Sequence, residues 1–136
     1  MAKDIKQVIV MRTKYPKPDG SVVKLRVGKL CAQAGHSVIS FLTRRLQKDG
    51  KFYKIKLTEN EEEWIESGFT KICVYVETEE ELLEIFRKAK EKGLEVHLIK
   101  DSGKTEFGGV PTHTCLAIGP DESKKIDEIT GHLKLL

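Results

Sequence analysis

Gln7-Val8-Ile9-Val10-Met11-Arg12 is an almost wholly apolar run. A strand with one wet face alternates apolar and polar residues. A run without that alternation suits a strand covered on both faces, as in a parallel sheet with helices on either side. Similar runs recur at Lys71-Ile-Cys-Val-Tyr-Val76, Leu94-Glu-Val-His-Leu-Ile99 and Thr112-His-Thr-Cys-Leu-Ala-Ile118. Helical patterns separate the first three. Thr58-Glu-Asn-Glu61 and Thr78-Glu-Glu-Glu81 are capping boxes, each a threonine with a glutamate three residues on that satisfy one another's backbone N–H groups. The first opens a short acidic helix ending at Gly68, with Trp64 as its anchor on the body. The second opens a helix with Leu82, Leu83, Phe86 and Ala89 inward, lysines late and Gly93 as its stop. Gly119-Pro120-Asp121 reads as the cap of a last helix through Ile126 and Ile129. Strand–helix–strand–helix–strand is the α/β pattern, and right-handed crossovers make its strands parallel. The fourth strand follows a loop from Lys100 to about Pro111, too short for a helical crossover, so it is expected antiparallel to the third.

The 136 residues suit one domain over 1–136, with 39% hydrophobic and 33% charged residues, which excludes a disordered chain. No apolar run approaches the roughly 20 residues of a membrane helix, and Met-Ala-Lys-Asp-Ile-Lys-Gln lacks the apolar core of a signal peptide. No membrane contact and a cytoplasmic location are expected. Cys31, Cys73 and Cys115 are odd in number, far apart and outside any CxxC, so neither a disulfide framework nor a zinc site follows. Cys73 and Cys115 sit in apolar runs as buried thiols. Residues 1–56 carry 14 Lys/Arg against 3 Asp/Glu, and residues 57–136 carry 10 against 18, within a net charge of +3. That split points to a basic surface for a polyanion, unless basic and acidic elements neutralise each other in the fold.

The chemistry centres on Gly28-Lys29-Leu30-Cys31-Ala32-Gln33-Ala34-Gly35-His36, the start of a helix to about Leu46. At about 100° per residue, Leu30, Ala34, Val38, Phe41, Leu42 and Leu46 share one sector. Lys29, Gln33 and His36 fall on the opposite side. A lysine in the first turn opposes the helix dipole, at a cost of about 0.3–1 kcal/mol. Next to Gly28 and open amides it suits a phosphate or a developing oxyanion, although a solvated polar face explains the same residues. In an open α/β sheet the site lies beyond the carboxyl ends of the parallel strands. Lys29 follows the first strand and Asp101 the third, so both belong to one edge. Asp101-Ser-Gly-Lys-Thr105-Glu is a polar turn, and Thr112 and Thr114 lie on the strand running back from it. Gly103-Lys104-Thr105 is not a P-loop, because the required earlier glycine is Leu98 and no helix follows. A Ser-His-Asp triad lacks its G-x-S-x-G elbow.

Between strand and helix, Thr13 to Val27 forms a basic connection, with turns at Pro16, Pro18 and Asp19-Gly20 and a small edge strand from Val22 to Val27. It reads as a hairpin-like flap, either a tolerated insertion or an RNA-backbone contact. Lys14, Lys24, Arg26, Arg44, Lys48 and Lys51 are the candidate phosphate contacts, and Arg44 also suits a helix C-terminus.

These pieces resemble the archaeal/eukaryotic-type (type II) peptidyl-tRNA hydrolases. The matching residues are Gly28-Lys29-x-x-Ala32-Gln33-x-Gly35-His36, Trp64 with Gly68 before KICVYV, TEEELLEIFRKAKEKGL, and Ile99-Lys100-Asp101-Ser-Gly-Lys-Thr105-Glu. They continue through Thr112-x-Thr114-Cys-Leu-Ala-Ile-Gly-Pro120 to Ile126-Asp127-x-Ile129-Thr130-Gly131-His-Leu-Lys-Leu-Leu136, so the ordered pieces cover nearly the whole chain. The resemblance implies a three-layer α/β/α domain with a four-stranded mixed sheet, usually a homodimer. It implies hydrolysis of the ester joining a peptide to the 3′ end of tRNA, without metal or organic cofactor. On that reading Asp101 is the general base or orients the attacking water, and Lys29 stabilises the oxyanion or a terminal phosphate. Thr105 and Thr114 position water or carbonyl. Gln33, His36 and Thr112 extend the polar face toward the substrate. His36 is an alternative base, since imidazole titrates near neutrality. A non-catalytic RNA-binding or protein-interaction module of the same fold is the alternative function. Two segments are longer than the family's usual ones: Thr13–Val27, and Phe107-Gly-Gly-Val-Pro111 by one residue.

Overall fold

The computed structural model describes residues 3–104 and 107–136. Its elements are β1 (Ile5–Arg12), β2 (Tyr15–Pro16), β3 (Val22–Val23), α1 (Val27–Thr43), β4 (Gln47–Asp49), β5 (Phe52–Lys54), α2 (Glu59–Glu66), β6 (Lys71–Val76), α3 (Glu79–Glu91), β7 (Val96–Asp101), β8 (Thr112–Glu122) and α4 (Ser123–Thr130). The main sheet has the order β6-β1-β8-β7. β1 pairs parallel with β6, and β8 runs antiparallel to both β1 and β7. β1, β6 and β7 therefore point the same way, as the crossover argument requires. β7 does not join the other two directly, because the antiparallel β8 stands between it and β1.

Alternation along β1 builds two cores. Val8 and Val10 point to one side, where they pack with Leu82, Ile85 and Ala89 of α3 and Ile126 and Ile129 of α4. Ile9 and Met11 point to the other, where Leu30, Ala34 and Val38 of α1 close over them with Ile99 and Cys115. A third cluster, Ile5, Phe41 and Trp64, seats α2 beside α1. Both capping boxes form as predicted, with Glu61 and Glu81 each returning the bond of its threonine. Trp64 is the expected anchor: it is 2% exposed, its Nε1 donates to the Thr70 carbonyl at 2.8 Å, and its ring meets Phe41 edge-on.

Two expectations are corrected, and one element was not foreseen. Gly119-Pro120-Asp121 continues β8 rather than capping a helix. A bulge falls there: the pairing with β1 shifts between Lys6 and Val8, so Gly119 and Pro120 lie across from Gln7. A proline's missing N–H leaves no gap at a bulge. Gly119 has φ +93°, and a Cβ on it would come within 2.8 Å of the Lys6 carbonyl oxygen. The helix from Gly28 stops at Thr43, leaving Leu46 exposed rather than packed. The stretch around Lys48 and Lys51 forms an unforeseen hairpin, β4–β5, turning at Gly50 with φ +61°.

The flap is a hairpin of two pairs, Tyr15 with Val23 and Pro16 with Val22, so its second strand ends before Lys24. At the far edge of the sheet, the end of the chain lies against β6. Tyr75 N–H donates to the Lys134 carbonyl and Leu136 N–H to that of Cys73, with Val74 bridged to Leu135.

Candidate active site

Packing of Leu30, Ala34 and Val38 over the sheet sets the first turn of α1 above the carboxyl ends of the strands. Arg26, at the cap position, gives the helix no side-chain cap, and its first turn holds no acid. Lys29 is the third residue of α1, and Asp101 is the last of β7. Lys29 Nζ donates to Asp101 Oδ1 at 3.0 Å, and the two side chains are 17% and 12% exposed. Gln33 Nε2 donates to the same Oδ1 at 3.1 Å. The Gly103 N–H donates to Oδ2 at 2.9 Å. That contact needs glycine: φ is +81°, and a Cβ would stand 2.0 Å from the Val110 carbonyl oxygen.

Gln33 corrects the helical-wheel reading. It is buried with Ser37, Ser40 and Phe41 on the packed face, not turned away from it. Thr114 Oγ1, fully buried, donates to Gln33 Oε1 at 2.6 Å. A hydroxyl donor on the amide oxygen leaves the amide NH₂ facing Asp101, so Thr114 fixes which end of Gln33 the carboxylate meets. Thr112 lies in register with Asp101, and its hydroxyl donates to the Val110 carbonyl at 2.8 Å. His36 is exposed, and among the described residues its ring makes no hydrogen bond. Thr105, named with these residues from the sequence, lies outside the described residues.

Burial pushes the Asp101 carboxyl up, but the Lys29 ammonium, the Gly103 N–H and the Gln33 amide outweigh it and hold it below its ordinary 3.8. A depressed carboxylate stabilises the fold above about pH 3.8, and that contribution is lost as the pH falls through the lower native value. A carbon-detected NMR titration of Asp101 is expected to show a midpoint below 3.8, moving upward in Lys29→Ala. An unmoved midpoint would deny that the ammonium sets the charge. Cys115 lies behind the site, its Sγ 3.3 Å from the Gln33 carbonyl oxygen. Burial pushes that thiol up to about 11, so it is not a thiolate nucleophile near neutrality. Cys73, expected buried, is half-buried. Among the described residues, no group of three or more His, Cys, Asp or Glu is set to hold a metal.

This lysine–aspartate–glutamine constellation lies within a full-length family match. The family model described as Peptidyl-tRNA hydrolase PTH2 matches residues 5–136. The chain belongs to that family. A peptidyl-tRNA hydrolase of Nanoarchaeum equitans is 37% identical over 131 residues, 96% of this chain and 98% of the relative. One of Methanothermobacter thermautotrophicus is 41% identical over 132 residues, 97% of this chain and all of the relative. One of Sulfolobus acidocaldarius is 41% identical over 109 residues, 80% and 88% of the two chains.

For a chain of the peptidyl-tRNA hydrolase family, the placement of the cations matters. Arg26 is the cap residue of α1 and Lys24 stands two residues before it, whereas Lys14 is ion-paired with Glu77, next to the start of α3. Arg44 sits just past the far end of α1, about 22 Å along its axis from Lys29 at 1.5 Å per residue. There its guanidinium bonds His97 Nδ1 and the Leu98 carbonyl, both at 3.1 Å. Lys48 and Lys51 are exposed on the β4–β5 hairpin beyond it, beside the exposed Phe52 and Tyr53. Arg26 and Arg44 thus stand at the two ends of one helix. Among the described residues, no helix is long and apolar enough to cross a membrane.

Sequence reading missed three neighbours of the site: the Gly103 N–H, Tyr15 and Phe107. Tyr15 is buried under the flap, its hydroxyl 3.0 Å from the Arg12 carbonyl oxygen and 3.4 Å from that of Thr114. Arg12 ends an apolar strand, and a cation there is a signal that partners must be found for it.

Proposed function

We propose that the chain hydrolyses the ester between a peptide and the 3′ end of tRNA, with Lys29 and Asp101 as the pair that acts on it. The observation that carries this reading is the 3.0 Å contact between them at the strand ends of a chain of this family. A carboxylate offers about four lone-pair directions. Lys29 and Gln33 occupy those of Oδ1 and Gly103 one of Oδ2, which leaves the last for a water. That water attacks the ester carbonyl carbon. The carbonyl oxygen becomes an oxyanion beside the Lys29 ammonium, and the water's proton passes by way of Asp101 to the departing ribose 3′-oxygen. The products are a peptide carboxylate and a free tRNA 3′-hydroxyl.

A general base works best with a pKa near the working pH. The depressed Asp101 therefore suits orientation of water more than strong basicity. His36 stands two turns from Lys29, about 10 Å along the helix, which favours the lysine–aspartate pair over the imidazole. Thr114 acts through Gln33 as a positioning residue, Thr105 takes the role of positioning water or carbonyl, and Thr112 extends the polar face toward the substrate. Lys14, Lys24, Arg26, Arg44, Lys48 and Lys51 take the tRNA backbone. As in the resembled family, the chain works as a cytoplasmic homodimer; sedimentation is expected to give twice the 15.4 kDa chain mass, and a single-chain mass would overturn that state.

Release of N-acetylated amino acid from charged tRNA tests the reaction, and a wild-type chain that releases none ends this reading. The same tRNA, uncharged, is expected to bind orders of magnitude more weakly at 200 mM salt than at about 50 mM, through several phosphate contacts. Salt-insensitive binding would favour a protein-interaction module.

A further inference from the structure

Beside the Lys29–Asp101 pair lies a cavity of about 720 Å³, within the range that buries small ligands. Tyr15 and Val23 of the flap form one wall, Phe107, Val110 and Thr112 the facing wall, and Arg12 the end. Two links tie the cavity to the site. Thr112 is in register with Asp101. The Val110 backbone rests against Gly103, whose N–H holds Asp101 Oδ2. The cavity and the pair thus share Thr112 and Val110 as their boundary beside Asp101.

The lining says which half of the substrate that is. The Tyr15 and Phe107 rings stand 4.9 Å apart, and prolines 16, 18 and 111 add apolar surface, with the exposed Lys17 the one further cation of the lining besides Arg12. The Arg12 guanidinium lies 4.3 Å over the Tyr15 ring and is already engaged: Nε donates to the Lys14 carbonyl at 3.0 Å, and Nη1 to that of His113 at 3.2 Å. Glu79 Oε2 is 3.7 Å from Nη1. Glu79, Glu80 and Glu81 open α3 on this side and place negative charge where a phosphate would have to pass.

We infer that this cavity receives the side chain of the peptide's C-terminal residue, the one esterified to the tRNA, and selects large apolar or aromatic side chains. The inference rests on the proposed hydrolysis, and its test separates the two. N-acetyl-phenylalanyl and N-acetyl-glycyl esters on one and the same tRNA are compared by kcat/KM. Wild type is expected to favour the phenylalanyl ester at least about tenfold, the scale on which apolar pockets discriminate. Phe107→Ala, which opens one wall, and Val23→Trp, which fills the space from the other, are each expected to shrink that ratio at least about fivefold. Ratios that match wild type in both variants overturn the inference.

Binding without turnover gives the second readout. N-acetyl-phenylalaninamide is expected to shift the Val23 and Val110 methyl resonances more than N-acetyl-glycinamide or adenosine monophosphate does. A larger response to the nucleotide assigns the cavity to the terminal adenosine and overturns the inference. If wild type cleaves neither ester yet the phenylalanine amide shifts those methyls, the hydrolase reading falls and the apolar subsite stands. If nothing shifts them, the subsite falls whatever the activity.

Discussion

Asp101→Asn is expected to lower kcat/KM for release from N-acetyl-aminoacyl-tRNA by about 10²–10⁴-fold, the usual worth of a positioned acid–base group. The substitution keeps the shape of the side chain and removes its charge. Lys29, Gln33 and the Gly103 N–H all donate to the carboxylate. An amide in its place turns a donor of its own toward one of these donors, so the water-holding geometry goes with the charge. Lys29→Ala is expected to cost about 10²–10³-fold, on the scale of losing one group that stabilises an oxyanion. The double variant should lose little beyond the worse single one, because each residue orders the other and such effects do not multiply. Stopped assays on all four proteins, with circular dichroism to confirm folding, decide the matter. Rates within about threefold of wild type in both single variants would remove the pair from the reaction.

Arg45→Ala is expected to be the most damaging change far from the site, at about 3–5 kcal/mol of stability, or a fall of about 10 °C or more in Tm. Arg45 follows α1, and Glu61 belongs to the first turn of α2. The guanidinium meets both oxygens of the Glu61 carboxylate, Nη1 to Oε2 at 2.6 Å and Nη2 to Oε1 at 3.0 Å, and Nη2 also reaches the Lys56 carbonyl at 2.7 Å. The Glu61 side chain is only 2% exposed, and its Oε1 also accepts the Thr58 N–H of the capping box. Removing the arginine strands a buried carboxylate, which costs more than the pair contributes. Arg45→Met with Glu61→Gln keeps the Thr58 acceptor and removes the stranded charge, so it should recover much of the loss. Equal destabilisation by the single and double changes, measured by urea unfolding, would show that lost packing rather than stranded charge is the cause.

Local features were legible in the chain. A capping box is closed within four residues, so Thr58–Glu61 and Thr78–Glu81 could be read directly. Apolar runs marked the buried strands, and counting connections placed Lys29 and Asp101 on one edge. What could not be read depends on partners distant in sequence. Nothing in Thr112–Ile118 says that it slides between β1 and β7, because strand order is chosen by packing across the whole sheet. Gly119-Pro120 carries the signature of a turn, and only the register against β1 makes it a bulge. The wheel at about 100° per residue sets Gln33 with Lys29 and His36, opposite the packed sector. Gln33 is buried because Thr114 and Asp101 satisfy both ends of its amide. The Arg45–Glu61 clamp escaped notice for a related reason: the glutamate's role in the capping box already explained it.

The tail against β6 bears on how the protein behaves when crowded. An open sheet margin is a template on which foreign strands polymerise. Here Lys134 and Leu136 occupy the outer Tyr75 N–H and Cys73 carbonyl, with Leu135 across from Val74. On the opposite margin, the Arg44 guanidinium takes up the Leu98 carbonyl. Neither flank presents an uninterrupted row for strand-to-strand aggregation.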